Sequence, residues 1–159
     1  MPSPSQEQMI KHLLRAHEVA VRAREAGHHP FGCVIVAADN ETVLVEHGNI
    51  DTVEHAEACA VRSAWRQYSE EILRNCTLYT TVEPCLICAG TFYWSNLARL
   101  VYGISETSLR QITGNDCRNP TLDLPCRKVF AAGSKQIEVI GPVAEVSEVI
   151  TNLHRQFWL

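Results

Sequence analysis

Apolar residues along the chain recur with two different periods, and the switching between them predicts the elements. Over residues 5–26, Met9, Leu13, Ala16, Ala20 and Ala23 return at three- and four-residue steps, which predicts an amphipathic helix ended by Gly27. The continuous apolar run FGCVIVAA at 31–38 predicts a buried strand, and TVLVEHGN at 42–49 alternates like its hairpin partner across the Asp39-Asn40-Glu41 turn. Helical spacing resumes at 55–68 through Ala58, Val61, Ala64 and Trp65. A β-rich segment follows at 77–82, closed by Pro84, and then a helix at 86–97 and a strand at 99–104. Residues 105–133 are rich in Asn, Gly, Pro and Asp, and their pattern assigns no element. A short strand is predicted within 136–143, and a terminal helix at 144–158 carries Val146, Ile150, Leu153 and Phe157 on one face.

The order α-β-β-α-β-α-β-loop-β-α predicts one sheet with helices on both faces and no second domain. Right-handed crossovers place the helices beginning at His55 and just after Pro84 with their N-termini side by side. That position lies at the carboxyl ends of strands, where open α/β sheets bind their ligands.

The length of 159 residues agrees with a single domain, 1–159. Hydrophobic residues at 46% and charged residues at 20% exclude a disordered or collagen-like chain. A net charge of −4 argues against a protein whose task is to track a phosphate backbone. No apolar run approaches the ~20 residues that span a bilayer, and the first residues lack an apolar signal core. A cytoplasmic protein is the expectation. Seven cysteines cannot all pair, and in a reducing compartment they are thiols or metal ligands.

The candidate chemistry lies in His55-Ala56-Glu57 and, thirty residues on, Pro84-Cys85-Leu86-Ile87-Cys88. Two cysteines at i and i+3 of a helix start face one point, and thiolates there are favoured by the free N–H groups. Taken alone, the pair equally describes a redox couple or two buried thiols. A histidine at the start of the adjacent helix adds a third ligand. One imidazole and two thiolates suit Zn²⁺, and three protein ligands leave the fourth tetrahedral position to water. Glu57 sits two residues past the histidine, where a carboxylate can move a proton from that water to a leaving group.

These residues form the H-x-E…P-C-x-x-C signature of zinc deaminases, and the sequence resembles the cytidine deaminase-like superfamily, closest to its short free-base and tRNA adenosine deaminases. The resemblance is carried by Pro30-Phe31-Gly32, by residues 45–49, by His55-Ala56-Glu57 and by TTVEPCLICAGTFYWSNLARLVYG. It implies a three-layer α/β/α fold around a central five-stranded mixed sheet. It further implies zinc on His55, Cys85 and Cys88, with Glu57 as the proton shuttle. Asn49 is then expected to hydrogen-bond the base edge and Phe31 to stack on it. The backbone N–H groups of Ala56 and Cys85 are expected near the reacting carbon, with the Glu83 carbonyl meeting the amine. Tyr93-Trp94 resembles the free-base guanine enzymes and is expected to pack at a helix surface or subunit contact. Phe157 and Trp158 are candidates either to close the pocket or simply to dock the terminal helix, and Asp116 is a candidate to read a ring N–H or amine. His28 and His29 are expected to be solvated loop residues.

Three activities fit this resemblance: deamination of a free guanine-, isocytosine- or cytosine-type base, deamination of a tRNA wobble adenosine, and binding by an inactive zinc-stabilised domain. Glu57 and the open fourth position disfavour the last. The acidic chain, with Arg155 the only Lys or Arg after residue 143, disfavours the second. A small nucleobase is the expected partner, nucleic acid and membrane are not, and a homodimer is the assembly that the resemblance implies.

Overall fold

The computed structural model describes residues 1–158. Ser5 opens α1 (Gln6–Glu25) with a reciprocal cap: its hydroxyl accepts from the Gln8 N–H at 3.1 Å, and the Gln8 side chain accepts from the Ser5 N–H at 2.8 Å. The strands are β1 (Gly32–Val36), β2 (Val43–Gly48), β3 (Thr77–Val82), β4 (Arg99–Ile104) and β5 (Glu138–Ile140), in sheet order β2-β1-β3-β4-β5. β1 runs antiparallel to β2 and β3, whereas β3, β4 and β5 are parallel, so the sheet is mixed, as expected. The remaining helices are α2 (Ala56–Gln67), α3 (Glu70–Leu73), α4 (Leu86–Trp94), α5 (Glu106–Thr113), α6 (Cys126–Ala131) and α7 (Ala144–Trp158).

Alternation along the strands sends successive side chains to opposite layers. Cys33, Ile35, Leu78, Leu100 and Tyr102 pack against Val61, Ala89, Phe92 and Phe130 of α2, α4 and α6. Their neighbours Val34, Val36, Tyr79 and Val101 pack against Leu13, Leu109, Val146 and Ile150 of α1, α5 and α7. Gly32 lets α1 come close, since a Cβ there would lie 2.4 Å from the Ala16 carbonyl oxygen and 2.5 Å from the Ala20 nitrogen. At the far side of the sheet the Arg99 guanidinium, 2% exposed, joins β4 to β5 through Glu138 Oε2 at 2.9 Å.

Several sequence expectations change. The helix expected at 86–97 ends at Trp94, because Asn96 adopts a left-handed conformation (φ 67) and Leu97 turns into the core. Trp65 is exposed on α2, so the apolar face there is carried by alanines and Val61 instead. Cys33, Cys59 and Cys76 are buried, and so is Cys126, which lies at the first turn of α6 within the stretch whose pattern assigned no element.

The stretch 105–133 holds two short helices, α5 and α6, both tied to one residue. The Glu83 carboxylate accepts from the Glu106 N–H at 3.0 Å through Oε1 and from the Cys126 N–H at 2.9 Å through Oε2. Each is the first residue of its helix, where N–H groups lack intrahelical partners. Local periodicity cannot reveal an anchor that lies 23 and 43 residues away.

Glu83→Gln sets an NH₂ against one of these two donors and should lower stability by about 1–3 kcal/mol. Amide exchange at Glu106 or Cys126 should quicken in that variant, and unchanged exchange at both would refute the double clamp. Gly32→Ala should cost about 1–3 kcal/mol in urea unfolding by pushing α1 off the sheet.

Candidate active site

Because β2 and β3 both run antiparallel to β1, they are parallel to each other, and the helices that follow them start at one edge of the sheet. His55 is the N-cap of α2 and Cys85 the N-cap of α4, yet neither side chain makes a capping hydrogen bond. Both are thereby free for other work. His55 Nδ1 and Cys85 Sγ lie 3.4 Å apart. One ligand atom from each of His55, Cys85 and Cys88 falls within 4.8 Å of the others. The His55 Nε2–H donates to the Thr52 carbonyl at 2.8 Å, which orients the ring and leaves Nδ1 toward the thiols.

Protons are shared unequally within this trio. Cys85 is held down to about 4, first by the hydrogen bond from the Cys88 thiol and then by His55. The Cys88 thiol is pushed up because it donates to Cys85 and because it is buried. His55 rises to about 9, chiefly through its hydrogen bond with Cys85. One imidazole and two sulfurs at this spacing match the donor set and size of a tetrahedral zinc site, and a divalent cation displaces the shared protons.

Glu57, buried in the first turn of α2, accepts from the Thr80 hydroxyl at 2.7 Å. Burial raises its pKa from the ordinary carboxylate value, against the opposing pull of the Thr80 and Cys88 hydrogen bonds. Thr80 reaches it because it shares the α2–α4 face of β3 with Leu78.

These groups open onto a cavity of about 250 Å³. His55, Glu57, Cys85 and Glu83 line it on the sheet side, and Phe31 and Asn49 line the wall beside the hairpin. Asn49 is buried, and its Nδ2 donates to the Asp51 carbonyl at 3.1 Å, leaving Oδ1 to a ligand. The segment 118–122 forms the outer rim with Leu109.

Four sequence candidates lie away from the cavity lining. Ala56 is fully buried behind it, as the first residue of α2. Asp116 is engaged with Arg118 at 2.6 Å, and it is Arg118 that lines the cavity. Phe157 and Trp158 support the wall from outside: the Arg118 guanidinium lies 5.3 and 5.2 Å from their ring centroids, and Trp158 packs 6.5 Å from Phe31. Trp158 is held by its Nε1–H, which donates to His154 Nδ1 at 3.0 Å. His29, expected in solvent, lines the cavity and packs 4.9 Å from Trp158. The Tyr93 hydroxyl accepts from the Ser134 N–H at 3.1 Å, while Trp94 is 75% exposed.

Sequence reasoning passed over Glu106, Arg118 and His29. Glu106 is buried at the cavity edge, and its carboxyl is pushed up to about 9 by burial first and then by Cys85, Glu83 and Glu57. A serine N-cap at Ser105 followed by an acid was a legible helix start, but it stood in a segment with no apolar period.

Comparison with known proteins agrees with this geometry. A probable cytosine deaminase from Schizosaccharomyces pombe is 36% identical over 156 residues, covering 96% of this chain and 93% of its own length. A tRNA-specific adenosine deaminase from Haemophilus influenzae is 36% identical over 105 residues, covering 63% of this chain but 58% of its own length. Among solved structures, a guanine deaminase from Nitrosomonas europaea superposes with a TM-score of 0.71 at 20% identity, covering 99% of this chain and 86% of that one. The profile of the cytidine and deoxycytidylate deaminase zinc-binding region matches residues 6–104, a span that runs from α1 through both helix N-termini to the end of β4. By that match, and by a cytosine deaminase relative aligned over nearly the whole chain, this protein belongs to the cytidine and deoxycytidylate deaminase family.

Proposed function

We propose that the chain hydrolyses the exocyclic amine of a free nucleobase of the cytosine, isocytosine or guanine type. The observation that carries this reading is the placement of the His55–Cys85–Cys88 trio and buried Glu57 on a cavity of only about 250 Å³. That volume lies just below the ~300 Å³ at which ordinary small-molecule pockets begin, and it suits a single heterocycle better than a strand of nucleic acid. The net charge of −4 supports the same choice. So does the near-complete alignment with the probable cytosine deaminase, against partial alignment with the tRNA enzyme.

In this reading His55 Nδ1 and the Cys85 and Cys88 sulfurs hold zinc, which when bound supplies a nucleophilic water near neutral pH. Phe31 offers a ring face to the base, and Asn49 Oδ1 accepts from its edge. Glu57 takes one proton from the attacking water and gives it to the ring nitrogen, then takes the second from the added hydroxyl and gives it to the departing amine. The C–N bond breaks, a carbonyl forms, and ammonia leaves. The Thr80 hydroxyl keeps Glu57 aimed during both transfers. The free N–H groups of Ala56 and Cys85 at the two helix starts favour negative charge developing between them.

Two further expectations belong to the same reading. The exposed Leu86, Ile87 and Trp94 of α4 support a homodimer. A reducing, cytoplasmic setting is the second, and the odd number of cysteines supports it. No helix of the described residues is long and apolar enough to cross a membrane.

An ammonia-release screen with zinc-loaded protein against guanine, isocytosine, cytosine, adenine, their nucleosides and tRNA tests the proposal. Release from a free base is expected; release from tRNA alone would transfer the chain to the wobble adenosine activity. Glu57→Ala should keep one zinc per chain by metal analysis while losing roughly a hundredfold or more of its turnover. Full activity in that variant sinks the proton-shuttle role.

A further inference from the structure

Among the described residues, Glu106 is the cavity-lining carboxyl with no visible structural task. It is 3% exposed, and its Oε2 is buried with no hydrogen-bond partner among the described residues. By contrast, Glu57 receives the Thr80 hydroxyl, and Glu83 receives two helix N–H groups. Asp116, the acid that the sequence offered for reading the base, is engaged with Arg118. An acid in the first turn of α5 is favoured by the helix dipole, but that benefit is available to a side chain in solvent. Leaving a buried carboxyl oxygen unpaired costs about 1–3 kcal/mol, which a ligand in the cavity removes by supplying the missing partner.

The chemistry of the surroundings narrows what that partner is. Burial disfavours a negative charge on Glu106, and the neighbouring Glu83 and Glu57 carboxyls act in the same direction. A neutral carboxyl presents one O–H donor and one carbonyl acceptor side by side. Its complement is an acceptor next to a donor, namely a ring C=O adjacent to a ring N–H. This lactam edge is present in free cytosine, isocytosine and guanine; adenine lacks it, and N1 substitution removes it from cytidine.

Resting on the free-base reading above, we infer that Glu106 is a specificity-determining residue whose carboxyl pairs with the lactam edge of the bound base. It accepts from the ring N–H and donates to the adjacent ring carbonyl. Selection against adenine and against cytidine follows from the same pair of bonds.

The test uses the full zinc-loaded chain with Glu106→Leu and Glu106→Gln. Uracil and xanthine, the lactam products of cytosine and guanine, serve as non-reacting ligands in calorimetry beside KM and kcat for ammonia release. Removing the polar group should weaken binding of the better product by at least about tenfold and raise KM in parallel. Meanwhile kcat should stay within about threefold, and zinc content and the melting midpoint should not fall. Glutamine also presents a donor beside an acceptor, so Glu106→Gln should recover binding to within about threefold of the parent chain. Unchanged product binding in Glu106→Leu overturns the inference, and so does a Glu106→Gln variant as weak as Glu106→Leu. If no free base releases ammonia yet uracil or xanthine binds in a Glu106-dependent way, the deamination reading falls and this one stands. If the parent chain binds neither product, this inference falls.

Discussion

Everything at the site depends on two helix N-termini being held side by side. β2 and β3 are made parallel by their shared antiparallel neighbour β1, so the chain leaves both strands at the same edge and enters α2 and α4 there. At each entry the N-cap position is filled by a residue whose side chain does not cap: His55 in one helix, Cys85 in the other. The local cost is two helix ends without their usual side-chain acceptors. The gain is an imidazole and a thiol 3.4 Å apart, in a region of positive potential from both helices. Stability at those caps is exchanged for chemistry.

The sheet supplies the rest of the floor by parity. Thr80 projects toward α2 and α4 because it is two residues from Leu78, and so it meets Glu57 rather than the α1 layer. A slip of one residue in β3 would turn Thr80 to the α1 layer and set Tyr79 or Thr81 on the Glu57 face in its place. The tight approach of α1 at Gly32 and the pairing of Arg99 with Glu138 act on opposite sides of β3 and β4, and together they hold the register of the sheet centre.

What the sequence made legible was the part governed by short spacing. His55, Glu57, Cys85 and Cys88 lie within three residues of a partner, and a helix turn converts that spacing directly into proximity. The strands were legible for a similar reason, since short apolar or β-rich runs bounded by turn residues are local signals, and only β2 was read from alternation. The rim was not. α5 and α6 owe their anchoring to Glu83, far away in sequence, and six- and eight-residue helices carry little amphipathic signal. Asp116 looked like a reader from composition alone, but Arg118, two residues on, occupies it. Phe157 and Trp158 were candidates to close the pocket. Their work is to brace Phe31, His29 and Arg118 from behind, and no spacing rule separates bracing a wall from being one.

The double attachment of Glu83 divides the cavity into two parts of different character. The strand end that carries it leads, two residues later, into Cys85, so the floor and both ends of the outer segment are fixed to one short piece of backbone. Between those two fixed points, residues 114–125 form an arch with both feet pinned. Neither attachment to Glu83 uses a residue of the arch. The site is in this sense a base plate, carrying His55, Glu57, Cys85 and Glu106, beneath a visor whose residues 118–122 form only the outer rim.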